Sequence, residues 1–160
     1  MSTTASVWTG FLLLLFASFY LGFGMSMAIF QFPGALERTK PDQFPQRFGG
    51  PVKMAVAFLT VWSTLMIIGG LLLTIAEWDE GGYRWGPLVY LIATVVATCI
   101  TVFVIFPVNR VLNTPTDDAI SFRATLARWI RLNLLRTVIW SIEWLAIALW
   151  LTALAIGGRA

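Results

Sequence analysis

The sequence predicts an all-α, four-helix transmembrane bundle formed by a single domain that covers residues 1–160. Hydrophobic residues make up 58% of the chain and charged residues only 12%, whereas a soluble globular domain is usually about 25% charged. Long apolar stretches lie within predicted helices at about 7–32, 52–75, 86–106 and 115–156. Each stretch reaches the ~20 residues that a helix needs to cross a bilayer, and their continuity excludes the alternating pattern of a membrane barrel.

The connections between the helices differ in charge, and this difference predicts the orientation in the membrane. Eight Lys and Arg residues lie in or beside the first and third connections, 33–51 and 107–131, against two on the opposite side. Because basic loops stay in the cytoplasm, we expect both of these connections to be cytoplasmic. The chain is then a multi-pass protein of the cell membrane with both termini outside.

The fourth helix is predicted to extend beyond the membrane. Thr114 and Pro115 are typical of an N-cap and a first helical residue, and no further Pro or Gly occurs before Gly157. A helix of this length would measure roughly 63 Å at 1.5 Å per residue, about twice the hydrocarbon thickness. Its first part is therefore expected to be a cytoplasmic amphipathic segment, packed on lipid or on the first connection. The apolar face holds Phe122, Leu126, Trp129 and Ile130, and the opposite face holds Arg123, Arg128 and Arg131.

Composition excludes several classes of site. The chain has no histidine, and Cys99 is its single cysteine. A His-ligated haem or copper site, a Cys/His zinc site, a Ser-His-Asp triad and an intrachain disulfide are therefore excluded. We expect no metal and no cofactor. The net charge of +3 is small and is attributed to membrane orientation, so nucleic-acid binding is not expected.

The fourth helix carries the most informative pattern in the chain. Seven residues follow one another at intervals of 4, 3, 4, 3, 4 and 3 positions: Trp129, Asn133, Arg136, Trp140, Glu143, Ile147 and Trp150. This spacing keeps them on one stripe of a helix in a left-handed bundle. The polar members are expected to face the bundle interior, because a charge exposed to lipid costs several kcal/mol.

Arg136 and Glu143 are predicted to lie at different depths. Arg136 is about one turn inside the cytoplasmic boundary, and Glu143 is close to the bilayer centre, roughly 10 Å further along the axis. At that separation we expect no direct contact, so Glu143 would be protonated, linked to water or partnered by another helix. A functional role and a role in fixing helix register are both open for these two residues, and for Asn133 hydrogen bonding between helices is favoured.

The end of the third helix is a second candidate for a site. Pro107 cannot donate a backbone hydrogen bond and is expected to end or kink this helix. Asn109 would then lie at the cytoplasmic mouth of the bundle. There it would either cap the broken helix end or bind a polar group of a ligand.

Two weaker patterns occur in the first and third helices. A row of small residues predicts close approach of another backbone to the first helix: Ser18, Gly22 and Ser26. One face of the third helix is modestly polar: Tyr90, Thr94, Thr98 and Thr101. Threonine hydroxyls often bond to their own helix, so the second pattern says little about a ligand.

Two short motifs resemble those of the anthrone oxygenase-like family of membrane proteins. They are Phe106-Pro107-Val108-Asn109-Arg110-Val111-Leu112 and Trp129-x-x-x-Asn133-x-x-Arg136-Thr137, in a chain with four predicted helices and Pro33 after the first. Members typically show Pro-x-Asn-x-x-Leu after helix three and Trp followed by His/Asn-x-x-Arg in helix four. The resemblance implies a cofactor-independent monooxygenase that oxidises a polycyclic anthrone to a quinone. It makes Arg136, Asn133 and Asn109 the candidate catalytic residues.

Three hypotheses of function follow. In the first, the protein binds or oxidises a lipophilic aromatic molecule that lies among Trp129, Trp140 and helix three, with Glu143 in the binding site. Arg136 would stabilise a phenolate or enolate oxygen. In the second, the chain is an accessory or assembly subunit that pairs with other membrane subunits or with its own copy. Transport is the third hypothesis and has less support, because four helices are few and no internal repeat is present.

Overall fold

The four predicted membrane spans are present. The computed structural model describes residues 3–79 and 81–157, and over these residues the chain is helical with short irregular connections and contains no β-strand. Arg159, one of the basic residues counted for the orientation, lies outside the described residues. Four helical runs are long and apolar enough to cross a membrane: Thr4–Gln31, Val56–Ala76, Trp85–Leu112 and Ala119–Ile156. The all-α four-helix bundle is thereby confirmed.

Each span is built from one or more helical segments. The α-helices are α1 (Thr3–Ser26), α2 (Ala35–Arg38), α3 (Gly50–Ala76), α4 (Trp85–Ile100), α5 (Phe106–Leu112) and α6 (Ala119–Ile156). A short 3₁₀ turn, Gly81–Arg84, precedes α4, and the described residues include three π-helical turns: Met27–Gln31, Pro45–Gly49 and Thr101–Ile105. Since consecutive spans run in opposite directions, residues 33–51 and 107–131 lie at one end of the bundle, here called the Arg-rich end.

Of the two outcomes expected at Pro107, an end or a kink of the helix, the structure excludes the first, because the third span continues past this residue. The helix passes from α4 through the turn Thr101–Ile105 into α5 and stops only at Leu112. The reason is the π turn, in which the Phe106 amide donates to the Thr101 carbonyl. A new α-helical register starts there, and Pro107 falls in its first turn, where no backbone N–H is required. Asn109 therefore lies inside a continuous helix and caps no broken end.

The start of α6 also differs from the prediction. Thr114 and Pro115 precede the helix, and the N-cap is Asp118, whose carboxylate accepts hydrogen bonds of 3.0 Å from the amides of Ile120 and Ser121. Thr114 instead closes α5, because its hydroxyl donates to the Arg110 carbonyl. Both residues are good capping types, and Asp118 is the one that captures two free amides.

The extension of α6 packs on the first connection. Phe122, Leu126 and Trp129 are buried with Phe44 and Phe48 in a cluster at the Arg-rich end. The three arginines on the opposite face are exposed, as the amphipathic pattern predicts: Arg123, Arg128 and Arg131. We expected either lipid or the first connection to cover this segment, and in the structure the first connection covers it.

The second cluster of the core lies within the membrane-spanning part, where α6 packs against α1 and α4. The small-residue row of α1 is not where another backbone approaches closely, contrary to expectation, although the Ser18 hydroxyl accepts a 2.9 Å hydrogen bond from the indole N–H of Trp144 in α6. Ser18, Gly22 and Ser26 are exposed, and a Cβ on Gly22 would meet no atom within 4 Å. Close approach occurs instead at Gly24, where a Cβ would lie 2.6 Å from the Thr137 hydroxyl of α6. Small residues four positions apart can lie on the packed face of a helix or on its exposed face. Their spacing alone therefore does not identify the packed face.

Candidate functional site

A cavity of about 240 Å³ lies between α1, α3, α4 and α6, in the half of the bundle nearer the Arg-rich end. Its wall is mainly apolar and aromatic, with a few polar side chains. The structure brings all six residues singled out from the sequence to this one cavity: Asn109, Trp129, Asn133, Arg136, Trp140 and Glu143. A cavity of this kind, apolar with a few placed polar groups, is typical of a small-molecule site.

The stripe of α6 supplies most of the polar groups. All seven of its residues, from Trp129 to Trp150, are buried, as the alternating 4–3 spacing predicts. Asn109 reaches the cavity from α5, in the span that continues α4. The π turns contribute further wall residues, among them Met27 and Ile105, and such turns are frequent at functional sites.

Asn133 acts through its neighbours in α6. Its side-chain amide donates to the Trp129 carbonyl over 2.8 Å, and its Oδ1 accepts a 2.6 Å hydrogen bond from Nη2 of Arg136. Both bonds stay within one helix, so the expected bond between helices is not formed. Because each end of the amide is used, Asn133 is best described as a residue that positions the guanidinium.

Trp129 is held rigidly at the Arg-rich end of the cavity. Its indole N–H donates to Oδ1 of Asn109. Phe32, Phe44 and Phe48 pack edge-on against the ring with centroid distances of 5.4 to 5.6 Å. Edge-to-face packing of this kind stabilises a fixed ring orientation. Trp129 therefore forms a stiff wall, and Asn109 holds it in place across two helices.

Arg136 is the buried cation of the site. Only 6% of the residue is exposed. Nη1 donates to the Thr101 hydroxyl over 3.3 Å, and the guanidinium carbon lies 4.5 Å from the ring centroid of Trp140. The buried Nε has no hydrogen-bond partner, and Arg136 forms no ion pair with any described residue. A buried charge without a counter-ion is costly, so this guanidinium is suited to an oxygen or an oxyanion supplied by a ligand.

Glu143 lies further along α6 and has a partner on another helix. It is 1% exposed, and its Oε1 accepts a 3.0 Å hydrogen bond from the hydroxyl of Thr94 in α4. Its Oε2 and the hydroxyl of Tyr90 are both buried and interact with each other, although neither forms a hydrogen bond of good geometry. As expected, the carboxyl does not contact Arg136.

Tyr20 and Ser63 line the cavity and were not predicted as site residues. Tyr20 of α1 packs edge-on against Trp140, with centroids 5.2 Å apart. Its hydroxyl donates to the Leu59 carbonyl over 2.8 Å and lies 2.9 Å from the hydroxyl of Ser63 in α3. A tyrosine inside an apolar span is a usable signal, because its buried hydroxyl needs a partner. Nothing in the sequence pattern indicates which helix provides that partner.

The cavity reaches the lipid-facing surface beside the first half of α3. From residue 56 to residue 65 no side chain of α3 is buried, although this stretch borders the cavity through Thr60 and Thr64. Phe23 of α1 and Val102 of the third span are 40% and 44% exposed and also border it. These exposed wall residues show that the cavity is not fully enclosed beside α3.

Comparison with known proteins gives no relative for this chain. No protein-family model, no curated protein and no solved structure matches it. Within the part of the chain that the structure describes, no group of three His, Cys, Asp or Glu side chains could hold a metal ion. Function is therefore argued from the cavity itself.

Proposed function

We propose that this chain is an integral membrane protein that binds a lipophilic aromatic molecule of the phenol or quinone type in the cavity among α1, α3, α4 and α6. The observation that carries the proposal is Arg136, a buried guanidinium with an unpartnered Nε at the wall of an otherwise apolar, aromatic cavity. In this proposal the chain spans the cell membrane with its Arg-rich end on the cytoplasmic side, because basic connections stay in the cytoplasm.

The chemistry of the wall selects the ligand class. Trp140 and Trp129 offer flat faces and edges to a ring system, and aromatic pairs gain about 0.5–1.5 kcal/mol beyond their buried area. Arg136 offers N–H donors to a ligand oxygen, and a hydrogen bond to a charged group contributes about 1.5–3 kcal/mol. An aliphatic chain would use the apolar wall and leave Nε of Arg136 without a partner.

Oxidation by dioxygen is the reaction class that we propose for such a ligand, in line with the resemblance to anthrone oxygenases. Removal of a proton from a ring CH₂ group gives a carbanion whose charge is delocalised onto an oxygen para to it, beside Arg136. Dioxygen then adds to the carbon. One oxygen atom stays as the new carbonyl, and the other leaves as water with the two hydrogens of the CH₂ group, so atoms and electrons balance without a cofactor. Asn133 and Asn109 serve this step by holding Arg136 and Trp129.

The test compares two arginines of the same helix. The purified chain in lipid nanodiscs is titrated with anthrone, binding is followed by quenching of tryptophan fluorescence, and oxygen uptake is measured in parallel. Arg136→Met should weaken binding by about tenfold to a hundredfold, as expected for the loss of one charged hydrogen bond, and should abolish oxygen uptake. Arg131→Met is the matched control, because Arg131 is exposed on the same helix, and it should leave both values unchanged.

Two results would overturn the proposal. One is the absence of saturable binding to the wild-type chain. The other is equal affinity in the Arg136→Met and Arg131→Met variants. Binding that depends on Arg136 without any oxygen uptake would retain the binding function and remove the oxygenase reaction.

An accessory-subunit role has less support from the geometry. The apolar face of the α6 extension is already covered by Phe44 and Phe48 of the same chain, and Glu143 is buried, so neither offers a surface to a partner subunit. The surface that remains for such a partner is the exposed basic face of α6: Arg123, Arg128 and Arg131.

A further inference from the structure

Three threonines in the wall of the cavity have used their hydroxyl hydrogens within their own helices. In α3, the hydroxyls of Thr60 and Thr64 donate to the carbonyls four residues earlier, over 2.7 and 2.9 Å. In α4, the hydroxyl of Thr98 donates to the Thr94 carbonyl over 2.8 Å. All three residues line the cavity. Because a hydroxyl has one hydrogen but two lone pairs, each of these oxygens can accept a further hydrogen bond and cannot donate another.

Thr101 shows that a threonine in this state still binds a partner. Its hydroxyl donates to the Ala97 carbonyl over 2.8 Å, and the same oxygen accepts a hydrogen bond from Nη1 of Arg136 over 3.3 Å. Bonds from threonine to the carbonyl four residues earlier are common in helices. Such a bond therefore leaves the hydroxyl oxygen as a usable acceptor.

Thr98 has no such partner on α6. Its neighbours on the third span, Thr94 and Thr101, are both hydrogen-bonded to charged residues of α6. Among the residues that the structure describes, no hydrogen bond joins Thr98 to another helix. The residue one helical turn further on, Val102, lines the cavity and is 44% exposed, and Thr98 itself is half-buried. Thr98 therefore presents an unused acceptor to the cavity.

The wall around Thr98 thus offers donors at one place and an acceptor at another. Arg136 supplies N–H groups, and its Nε has no hydrogen-bond partner. Thr98 lies three residues from Thr101, and residues at this spacing are neighbours on a helix surface, so its oxygen is close to the guanidinium that Thr101 binds. A ligand with only a carbonyl or ether oxygen can use Arg136 alone. A phenol can use both residues, because its hydroxyl accepts and donates.

We propose that Thr98 determines the specificity of the cavity by accepting a hydrogen bond from a hydroxyl group of the aromatic ligand. The inference rests on the proposed function, because it concerns the ligand of the same cavity, and it narrows the phenol or quinone class to ligands with a free hydroxyl group. Arg136 donates to the ligand oxygen, and the hydroxyl hydrogen goes to Thr98. Thr60 and Thr64 provide further acceptors on α3 for a ligand with more than one hydroxyl group.

The experiment compares 2-naphthol with 2-methoxynaphthalene. Both probes have the same ring system and an oxygen that accepts from Arg136, but only 2-naphthol can donate. Affinities are measured by tryptophan quenching in nanodiscs for the wild-type chain and for Thr98→Val, which replaces the hydroxyl by a methyl group of similar size. The quantity compared is the affinity for 2-naphthol divided by that for 2-methoxynaphthalene, because the unequal partitioning of the probes into lipid is then the same in every variant.

This ratio should fall about fivefold in Thr98→Val, as expected for the loss of one neutral hydrogen bond, and the affinity for 2-methoxynaphthalene should not change. Thr98→Ala should lower the ratio in the same way and provides the test if Thr98→Val fails to fold. Thr152→Val is the matched control. Thr152 also donates to the carbonyl four residues earlier, over 2.9 Å, but it is exposed and lies outside the cavity wall, so this variant should have the wild-type ratio.

An unchanged ratio in Thr98→Val would overturn the inference, and so would an equal fall in Thr98→Ser, which keeps a hydroxyl at this position. If both probes bind saturably and depend on Arg136 while the ratio does not respond to the loss of the Thr98 hydroxyl, only the role of Thr98 fails. If neither probe binds saturably, the proposed function fails, and this inference fails with it.

Discussion

A single methyl group added to α1 should disturb the site from its far side. Gly24 faces α6, and a Cβ at this position would lie 2.6 Å from the Thr137 hydroxyl and 2.9 Å from Cε3 of Trp140. Ordinary contact begins at 3.4 Å, so Thr137 would have to move by about 0.8 Å. Its hydroxyl also donates to the Asn133 carbonyl over 2.9 Å, which opposes such a movement.

Gly22→Ala is the control that isolates the free-energy cost of the added contact, because Gly22 lies two residues earlier in α1 and faces open space. Inserting a methyl group into a packed core costs about 1–3 kcal/mol, whereas replacing glycine by alanine within a helix gains roughly 0.5–1 kcal/mol. This gain in helix stability is the same for Gly24→Ala and Gly22→Ala, so it cancels when the two variants are compared. Gly24→Ala should therefore be less stable than Gly22→Ala by about 1–3 kcal/mol.

Reversible unfolding in mixed micelles, followed by far-UV circular dichroism, measures this difference. Anthrone affinity should fall in Gly24→Ala as well, because the methyl group would displace Trp140, which stacks against the guanidinium of Arg136. Equal stability of the two variants would refute the packing of α1 on α6 at Gly24. Equal stability together with equal affinity would also refute the position of Trp140 in the wall.

Three further predictions concern the parts that support the cavity. Asn109→Leu should lower stability by about 1–3 kcal/mol and weaken ligand binding, because the buried N–H of Trp129 loses its acceptor; unchanged unfolding would contradict that bond. Asp118→Ala should cost about 1 kcal/mol of unfolding free energy through loss of the α6 N-cap, while Asp117→Ala, which removes no capping bond, should not. Phe44→Ala should cost about 3–5 kcal/mol, because this ring is fully buried against Trp129, and a loss below 1 kcal/mol would show that the first connection does not pack on α6.

The sequence was most informative where one helix carries the pattern. The 4–3 spacing from Trp129 to Trp150 predicts a single buried face, since seven residues span almost two whole turns of a helix. Asn133, Arg136 and Glu143 follow directly from that spacing. Their burial requires no knowledge of the other helices, because lipid is a poor solvent for a charge wherever the helix stands.

Partners on other helices were less predictable. Thr94 and Thr101 belong to a polar face that the sequence shows, but their pairing with Glu143 and Arg136 depends on the vertical register between α4 and α6. That register is set by packing in the assembled core. The contacts of Tyr20 with Ser63 and Trp140 have the same origin.

The two errors at helix ends have local causes. Pro107 is normally a helix breaker, but the π turn Thr101–Ile105 moves it into the first turn of a new segment. A π turn leaves no clear mark in residue types, so the continuation could not be read from the sequence. Thr114 and Asp118 are both acceptable N-caps, and the choice between them depends on which one reaches free amides.

The most direct test of the central claim, a cavity that holds an aromatic molecule, is native mass spectrometry of the chain released gently from its own membrane. The account predicts a monomer or homo-oligomer that carries a small aromatic or quinone molecule, and this added mass should disappear in Arg136→Met. A chain that carries no such molecule and is instead bound in fixed stoichiometry to other membrane subunits would contradict the account.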